Sequence, residues 1–354
     1  MRVMFLFPYP LKEAASQRFR FEQYFHLLKQ NNIEFDTYGF LSYNAWKKLY
    51  QPGHYFSKFL RILKGYLNRF ILLFSLRKFD YIFIHREAAP LGPPIFEFLI
   101  AKIFRKKIVY DFDDAIWLKN YSEANKFFSA FKFYTNTKYI CKWAYKVSCG
   151  NEYLCNFAKQ YNKNVVYNPT TIDTENHHNK IKIHQKGKFV IGWTGSHSTN
   201  RYLMELYDVI SDLEKKYEFE FLVISDESPE LDLKSFRYLK WNKKTEIEDL
   251  LKMDVGVMPL KDDLWANGKC GFKALQYMSL GIPALVSPVG VNTKIVDHGI
   301  NGFICSNQQD WSNNLEKLLL DENLLQEISK ATRHKIENNY SVKSNSQNFI
   351  HLFS

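Results

Sequence analysis

Apolar residues in this chain gather into short, nearly continuous runs, separated by longer stretches in which they recur at helical spacing. Val3–Phe7 is the first such run, stopped by Pro8. Others lie at Tyr81–Ile84, Lys107–Tyr110, Lys146–Cys149 and Val165–Tyr167. Runs without polar alternation predict strands covered on both faces, as in a parallel sheet flanked by helices. A helix is expected near Phe19–Gln30, after a loop through Ala15–Arg18. Residues 170–188 interrupt the pattern with His177, His178, His184 and four lysines. The pattern then restarts, with strands expected at Phe189–Trp193, Glu220–Ile224, Val255–Met258 and Ala284–Ser287 and a helix near Tyr202–Lys216. This alternation predicts an α/β chain of two doubly wound parallel-sheet domains facing a cleft. The expected boundaries are 1–170 and 188–330, with 171–187 as a linker and 331–354 as a closing segment.

A length of 354 residues suits two domains at roughly 150 residues each. With 46% hydrophobic and 24% charged residues, disordered and fibrous chains are excluded. The cysteines (Cys141, Cys149, Cys155, Cys270, Cys305) contain no Cys-x-x-Cys pair and read as buried free thiols rather than a metal cage. Val3–Phe7 is too short for a signal-peptide core, and the longest uncharged stretch, Ala274–Thr293, is broken by Gly281, Pro283, Pro288 and Gly290. A cytoplasmic location is expected.

Charge divides the chain unevenly. Residues 1–170 hold 26 Lys and Arg against 12 acids, whereas the remainder holds 22 against 25. Between Asp36 and Asp80 no acid occurs, and twelve aromatic residues are interleaved with the cations. From Phe56, apolar residues recur as Phe59, Leu60, Leu63, Tyr66, Leu67, Phe70, Ile71 and Phe74, with Lys58, Arg61, Lys64 and Arg69 mostly on the other side. Such a stripe suits a helix lying in an anionic bilayer surface; the rival is a core helix with a solvated basic face. No nucleic-acid motif accompanies the charge, so no nucleic-acid partner is expected.

Candidate chemistry is concentrated in the second half. Strand Phe189–Trp193 runs into Thr194-Gly-Ser-His-Ser-Thr199, a small hydroxyl-rich loop suited either to a diphosphate or to plain helix capping. Asn267-Gly-Lys-Cys-Gly-Phe-Lys273 precedes the apolar stretch Ala274–Leu280. Gly268 and Gly271 permit close backbone approach, while Lys269 and Lys273 add cations near a helix start. Two such loops in one domain are what a nucleoside diphosphate needs.

These residues carry a family resemblance. Met258-Pro-Leu, the run from Gly268 through Lys269-Cys-Gly-Phe-Lys273 to Gly290, and Gly299-Ile-Asn-Gly-Phe303 resemble the donor-binding domain of family 4 glycosyltransferases, most of all the bacterial cell-surface polysaccharide branch. The resemblance implies the GT-B architecture of two Rossmann-like domains, a nucleotide-sugar donor substrate, retention of anomeric configuration, and neither cofactor nor metal. It also implies a lipid-linked or oligosaccharide acceptor and a peripheral position on the inner face of the cell membrane. The closing segment is expected to pack back on the first domain.

The family's paired glutamates fall here on Gly268 and Gln276, so the sugar-contacting carboxylate is absent and Gln276 is left for the ribose. Donor contacts are assigned to Gly195, Ser196, Arg201, Trp241, Lys269, Gly271, Phe272 and Gln276, and charge stabilisation to Lys273. In the first domain, Lys107-Ile-Val-Tyr-Asp-Phe-Asp-Asp114 aligns with the family strand ending in His-Asp, which puts Asp113 at the catalytic position. The carboxylates of Asp111, Asp113 and Asp114 also admit a magnesium reading and a helix-capping reading. Arg18, Arg20, His85 and Arg86 are the candidates for acceptor binding, and Lys58, Arg61, Lys64 and Arg69 for membrane contact. The rival functions are another enzyme on the same fold and a non-catalytic membrane-associated scaffold.

Overall fold

The computed structural model describes residues 1–49, 53, 55–119, 133–184 and 187–354. They form two compact units, one of Met1–Thr170 with Asn345–Ser354 and one of Thr171–Ser344. Each contains a six-stranded sheet in which every pairing is parallel.

The first sheet comprises β1 (Arg2–Phe7), β2 (Glu34–Gly39), β3 (Tyr81–His85), β4 (Lys107–Phe112), β5 (Lys146–Cys149) and β6 (Val165–Tyr167), in the order β2-β1-β3-β4-β5-β6. Val3–Phe7 is buried throughout because helices cover both faces of β1. Phe5 is the hub of an aromatic core, with Phe21, Phe25, Phe35, Phe83 and Phe353 at ring separations of 4.8–6.1 Å. The chain end joins this core. Phe349 stacks on Tyr24 at 4.1 Å, and Lys146 Nζ donates to the carbonyls of His351 at 2.6 Å and Ser354 at 3.0 Å. The closing segment is therefore shorter than expected, because residues 331–339 still belong to the helix Glu322–Asn339 of the second unit.

The second sheet comprises β7 (Phe189–Thr194), β8 (Phe219–Ser225), β9 (Phe236–Lys240), β10 (Val255–Met258), β11 (Ala284–Val286) and β12 (Gly302–Ile304), in the order β12-β11-β10-β7-β8-β9. Trp193, Leu206, Phe221, Val257, Leu285 and Trp311 lie at the centre of its core. The polar segment expected as a linker instead packs on this unit. Arg333 donates to the carbonyls of His178 and Thr174, while His178 and Ile172 are fully buried. Buried carbonyls need donors, and Arg333 supplies them.

The helix Tyr55–Leu73 departs most from ordinary patterning. Its apolar stripe faces outward: Phe56, Phe59, Leu63, Ile71 and Phe74 are exposed. Its inner side mixes small and charged residues with Leu73 and the Tyr66 ring. Gly65 sits where a Cβ would come 2.7 Å from the Phe40 ring, and the Arg69 guanidinium is buried, donating to the carbonyls of Phe7 (3.0 Å), Tyr38 (2.9 Å) and Ala88 (2.7 Å). Burial lowers Arg69 to about 10, partly offset by Glu97. Lys58 is buried as well. These positions correct the expectation that Lys58 and Arg69 meet lipid phosphates; both point into the unit. Lys64 is exposed, and Arg61 is half-buried, with its Nε 3.4 Å from Ser57 Oγ. Among the described residues no helix is long and apolar enough to cross a membrane.

Candidate active site

Strand order in the second sheet reverses at β7, with β8 and β9 on one side and β10, β11 and β12 on the other. Parallel sheets accept ligands outside the carboxyl ends of the strands that diverge at such a reversal. Here those ends are Thr194 of β7 and Met258 of β10. The loop after β7 leads into the short-pitch helix His197–Leu206. The chain after β10 passes through Leu264–Asn267 to the helix Phe272–Ser279.

Lys273 joins these two segments. Its Nζ lies 3.5 Å from Thr199 Oγ1 and 4.6 Å from the centroid of the Trp193 ring. Burial, and secondarily the charge of Lys269, push its ammonium down to about 7. The side chain nevertheless keeps some contact with solvent. A poorly hydrated ammonium beside another cation is stabilised by an arriving anion, and a phosphate oxygen is a strong acceptor for it. Gly271 fixes where this helix starts. Its φ of +69° is left-handed, and a Cβ there would come 2.1 Å from Ile295 Cδ1. The helix is tied to the first loop because the Thr194 N–H donates to Tyr277 Oη at 2.8 Å.

The amides of the first loop are arranged differently from expectation. Gly195 N–H donates to the Ile224 carbonyl, Ser196 N–H to Thr199 Oγ1, and His197 N–H to Asp226 Oδ1 at 2.6 Å. Gly195 and Ser196 therefore do not offer these amides to a diphosphate. The Ile224 carbonyl already engages the first and the Ser196–Thr199 capping box the second. Arg201 is exposed, with its guanidinium 5.1 Å above the Tyr202 ring. Lys269 Nζ lies 5.8 Å over Trp265, and Phe272 is half-buried beside Lys273. Trp241 is half-buried at the carboxyl end of the edge strand β9, its N–H bound to the Ser225 carbonyl.

Gln276 is buried, and its Nε2 donates to Glu246 Oε1 at 3.1 Å. A carboxylate thus reaches the helix from 30 residues upstream. Sequence reasoning missed Glu246 because no local spacing links it to Gln276. The signal that remained was the pairing rule: a buried Gln amide needs an acceptor.

At the carboxyl ends of β3 and β4 in the first unit, charges pair tightly. Arg20 binds Asp111 through Nη2 and, at 3.3 Å, through Nε; it also donates to the Asn168 carbonyl. Ser148 Oγ and His85 Nδ1 complete the contacts of Asp111 at 2.6 and 2.8 Å. Burial works to raise the Asp111 carboxyl, but Arg20 and His85 hold it below the usual carboxylate range. Arg20 and His85 are wholly enclosed, which corrects their expected role as direct acceptor ligands. They brace the end of β4. Among the described residues the buried His85 Nε2 has no hydrogen-bond partner, and Asp113 Oδ1 lies 4.0 Å from it.

Arg86 donates to Asp113 at 2.8 Å through Nε and to Asp114 at 2.7 Å through Nη2. Burial opposes its charge, but Asp113 and Asp114 outweigh it and raise the guanidinium above its ordinary value. Arg86 also has φ +60°, a left-handed conformation that costs a non-glycine residue roughly 1–2 kcal/mol. Bonds from Arg86 N–H to the Asp111 carbonyl and from Tyr110 Oη to the Arg86 carbonyl hold it there. Strain maintained by its surroundings marks functional positions. Arg18 is half-buried against the Phe19 ring. The three carboxylates do not converge as the magnesium reading requires, since Asp111 pairs with Arg20 and the other two with Arg86.

Residues 173–335 match the family model described as glycosyl transferases group 1. That match spans just under half of the chain. It includes Lys273, Gln276 and Glu246, so the switch-point site lies wholly within it. Among solved structures, sucrose-phosphate synthase from Thermosynechococcus elongatus is 11% identical with a TM-score of 0.72, covering 100% of this chain and 98% of its own. A glycosyltransferase from Rickettsia africae is 12% identical with a TM-score of 0.71, covering 99% and 97%. Anabaena HepE in complex with UDP-glucose is 14% identical with a TM-score of 0.62, covering 99% and 98%. No curated protein sequence matches the chain. At these identities the likeness establishes the fold, which is GT-B. The group 1 domain and the fold together support a glycosyltransferase.

Proposed function

We propose that this protein is a retaining, metal-independent glycosyltransferase of the family 4 type. It moves a sugar from a nucleoside-diphosphate donor to a lipid-linked or oligosaccharide glycan acceptor, in assembly of a bacterial surface polysaccharide or lipopolysaccharide. Its place is the inner face of the cell membrane. The observation that carries the reading is Lys273, a cation pushed down to about 7 that bridges the loops after the two central strands of the group 1 domain. The UDP-glucose bound by Anabaena HepE supports a nucleotide hexose as donor.

In this reading Lys273 and Lys269 hold the diphosphate, and the approach of the anion restores the full charge of Lys273. When the glycosidic bond to the diphosphate breaks, negative charge grows on the leaving oxygen. A fixed ammonium in a partly desolvated site stabilises it without reorganisation. Gln276 and Glu246 take the ribose hydroxyls, Glu246 replacing the carboxylate missing at Gly268 and Gln276. Trp241 and Arg201 flank the nucleotide. The first unit supplies the acceptor side through Arg86, Asp113 and Arg18. Asp113, engaged by Arg86, serves as a polar contact to a hydroxyl. Pairing of Asp111, Asp113 and Asp114 with arginines supports chemistry without a divalent cation.

The test is transfer from a panel of nucleotide sugars to lipid-linked acceptors, with product anomers read by NMR. Retention that persists in EDTA supports the reading; inversion, or an absolute need for a divalent cation, contradicts it. Gly268, which leaves the usual sugar-contacting carboxylate out, favours the scaffold alternative, and nucleotide binding without turnover on any donor would select that.

A further inference from the structure

Among the described residues, the first unit leaves one apolar surface exposed. On the helix Tyr55–Leu73 and the residue that follows it, Phe59 is 60% exposed, Ile71 66% and Phe74 85%. They lie with Phe56, Leu63 and Leu67 on one side, at intervals of three and four residues, so they form a single stripe. The opposite side holds Gly65 and Arg69 against the unit. The helix is thus inverted relative to one that closes a core, and a contiguous apolar stripe of this size marks an interaction surface.

A second feature belongs to the same unit. An open cavity of about 520 Å³ lies at the amino edge of the first sheet, where β1, β3 and β4 begin. Arg77, Arg105, Lys106 and Lys107 line it, with Phe79 and Phe353 at its walls. Lys106 Nζ is anchored 2.7 Å from the Phe79 carbonyl, and Lys107 Nζ lies 5.1 Å over the Tyr81 ring. Asp80, the acid in the lining, accepts the Arg2 N–H at 2.7 Å. Phe74 is three residues from Arg77, and Ile103, 61% exposed, is two residues from Arg105. Exposed apolar residues thus stand close in sequence to two of the cavity's cations, one at the end of the helix and one before β4.

We propose that the first unit docks on an anionic membrane through this face, with the apolar stripe entering the headgroup zone and the basic cavity holding a lipid phosphate. The absence of acids from residue 37 to residue 79 gives the surface the charge that an anionic leaflet complements. Aromatic and aliphatic residues beside cations are the composition of an in-plane membrane contact. The cavity is at the opposite edge of the sheet from Arg86 and Asp113, so this headgroup is a docking ligand distinct from the acceptor. The proposal rests on the membrane part of the reading above and is independent of the donor.

The test is flotation of the full chain with vesicles of phosphatidylcholine alone and with about a quarter phosphatidylglycerol. Wild type floats with the anionic vesicles. The pair Arg77→Gln and Arg105→Gln lowers partition roughly thirtyfold, at about fivefold per cation, with little effect on neutral vesicles. The pair Ile71→Ser and Phe74→Ser lowers it by at least about tenfold on both. Both double variants keep the wild-type melting temperature and its rise with UDP, which separates a docking failure from misfolding or from failure of the donor reading. Absence of flotation by wild type, or equal flotation by both variants, overturns the proposal. So does a lipid-free dimer that dissociates on Ile71→Ser and Phe74→Ser, because the occupant is then a second copy of the chain.

Discussion

Replacing Lys273 by Met removes the ammonium while keeping an unbranched side chain in the helix. In the structure this ammonium has Thr199 Oγ1 at 3.5 Å, the Trp193 ring at 4.6 Å and a cationic neighbour, Lys269, so its largest gain comes from a bound anion. A hydrogen bond to a charged group contributes about 1.5–3 kcal/mol. The variant should therefore bind UDP roughly 10- to 150-fold more weakly. The pH dependence gives a sharper signature. In the free protein Lys273 is pushed down to about 7, so it gives up its proton roughly 2,500 times more readily than an ordinary lysine at about 10.4. The diphosphate favours the protonated form, so binding takes up a proton and weakens as pH rises above about 7, approaching tenfold per unit. Isothermal titration from pH 6 to 9, in buffers of different ionisation enthalpy, reads both the affinity and the proton uptake. UDP's own titration is common to wild type and variant and drops out of their difference. Equal affinity and an identical pH profile in Lys273→Met would refute the assignment.

Lys269→Ala should move the midpoint of that pH profile upward, since the Lys269 charge adds to burial in depressing Lys273; titration calorimetry again checks it. Glu246→Ala should weaken UDP binding by roughly tenfold, leaving the Gln276 amide without its carboxylate, whereas uridine-free diphosphate should bind as before. Gly271→Ala should destabilise the second unit by about 1–3 kcal/mol through left-handed strain and contact with Ile295 Cδ1, and Ile295→Val should relieve the contact but not the strain. Asp111→Asn should cost about 3–5 kcal/mol in urea unfolding at neutral pH, because it leaves Arg20 buried without a counter-charge. Asp111 is depressed in the folded state, so its contribution is complete above about pH 4 and fades as pH falls toward its folded value; the variant loses that acid-sensitive component.

The central strands were legible because burial on both faces leaves an uninterrupted apolar run: Val3–Phe7 and Val255–Met258 needed no other signal. The strands not anticipated, Glu34–Gly39, Phe236–Lys240 and Gly302–Ile304, are all at sheet edges. Two of them, EFDTYG and FRYLK, are half-exposed and mix charge into the run, which imitates a loop, and the third is only three residues long. The stretch Tyr202–Lys216 reads as one helix but begins as a short-pitch segment, because Ser196, Thr199 and Asp226 organise its first turn. At the site, Lys273 was legible from its place after Gly271 at a helix start. The pairing of Glu246 with Gln276 was not, because it depends on how β9 and β10 are joined rather than on spacing. The roles of Lys58 and Arg69 were misjudged for a general reason: periodicity separates two faces of a helix but does not say which one meets the protein. Only Gly65, too small for a solvent face to require, hinted that the polar side packs inward.

The most direct measurement is the melting temperature of the full chain with UDP, GDP, ADP and CDP, each with and without magnesium. Ligand that binds only the native state raises it, by about 2.7 kcal/mol of stabilisation at a hundredfold excess over Kd. A rise selective for one base, unchanged by magnesium and abolished in Lys273→Met, is the predicted result. No rise with any diphosphate, or a rise that survives the loss of Lys273 intact, would contradict a nucleotide-sugar site at the switch point of the second sheet.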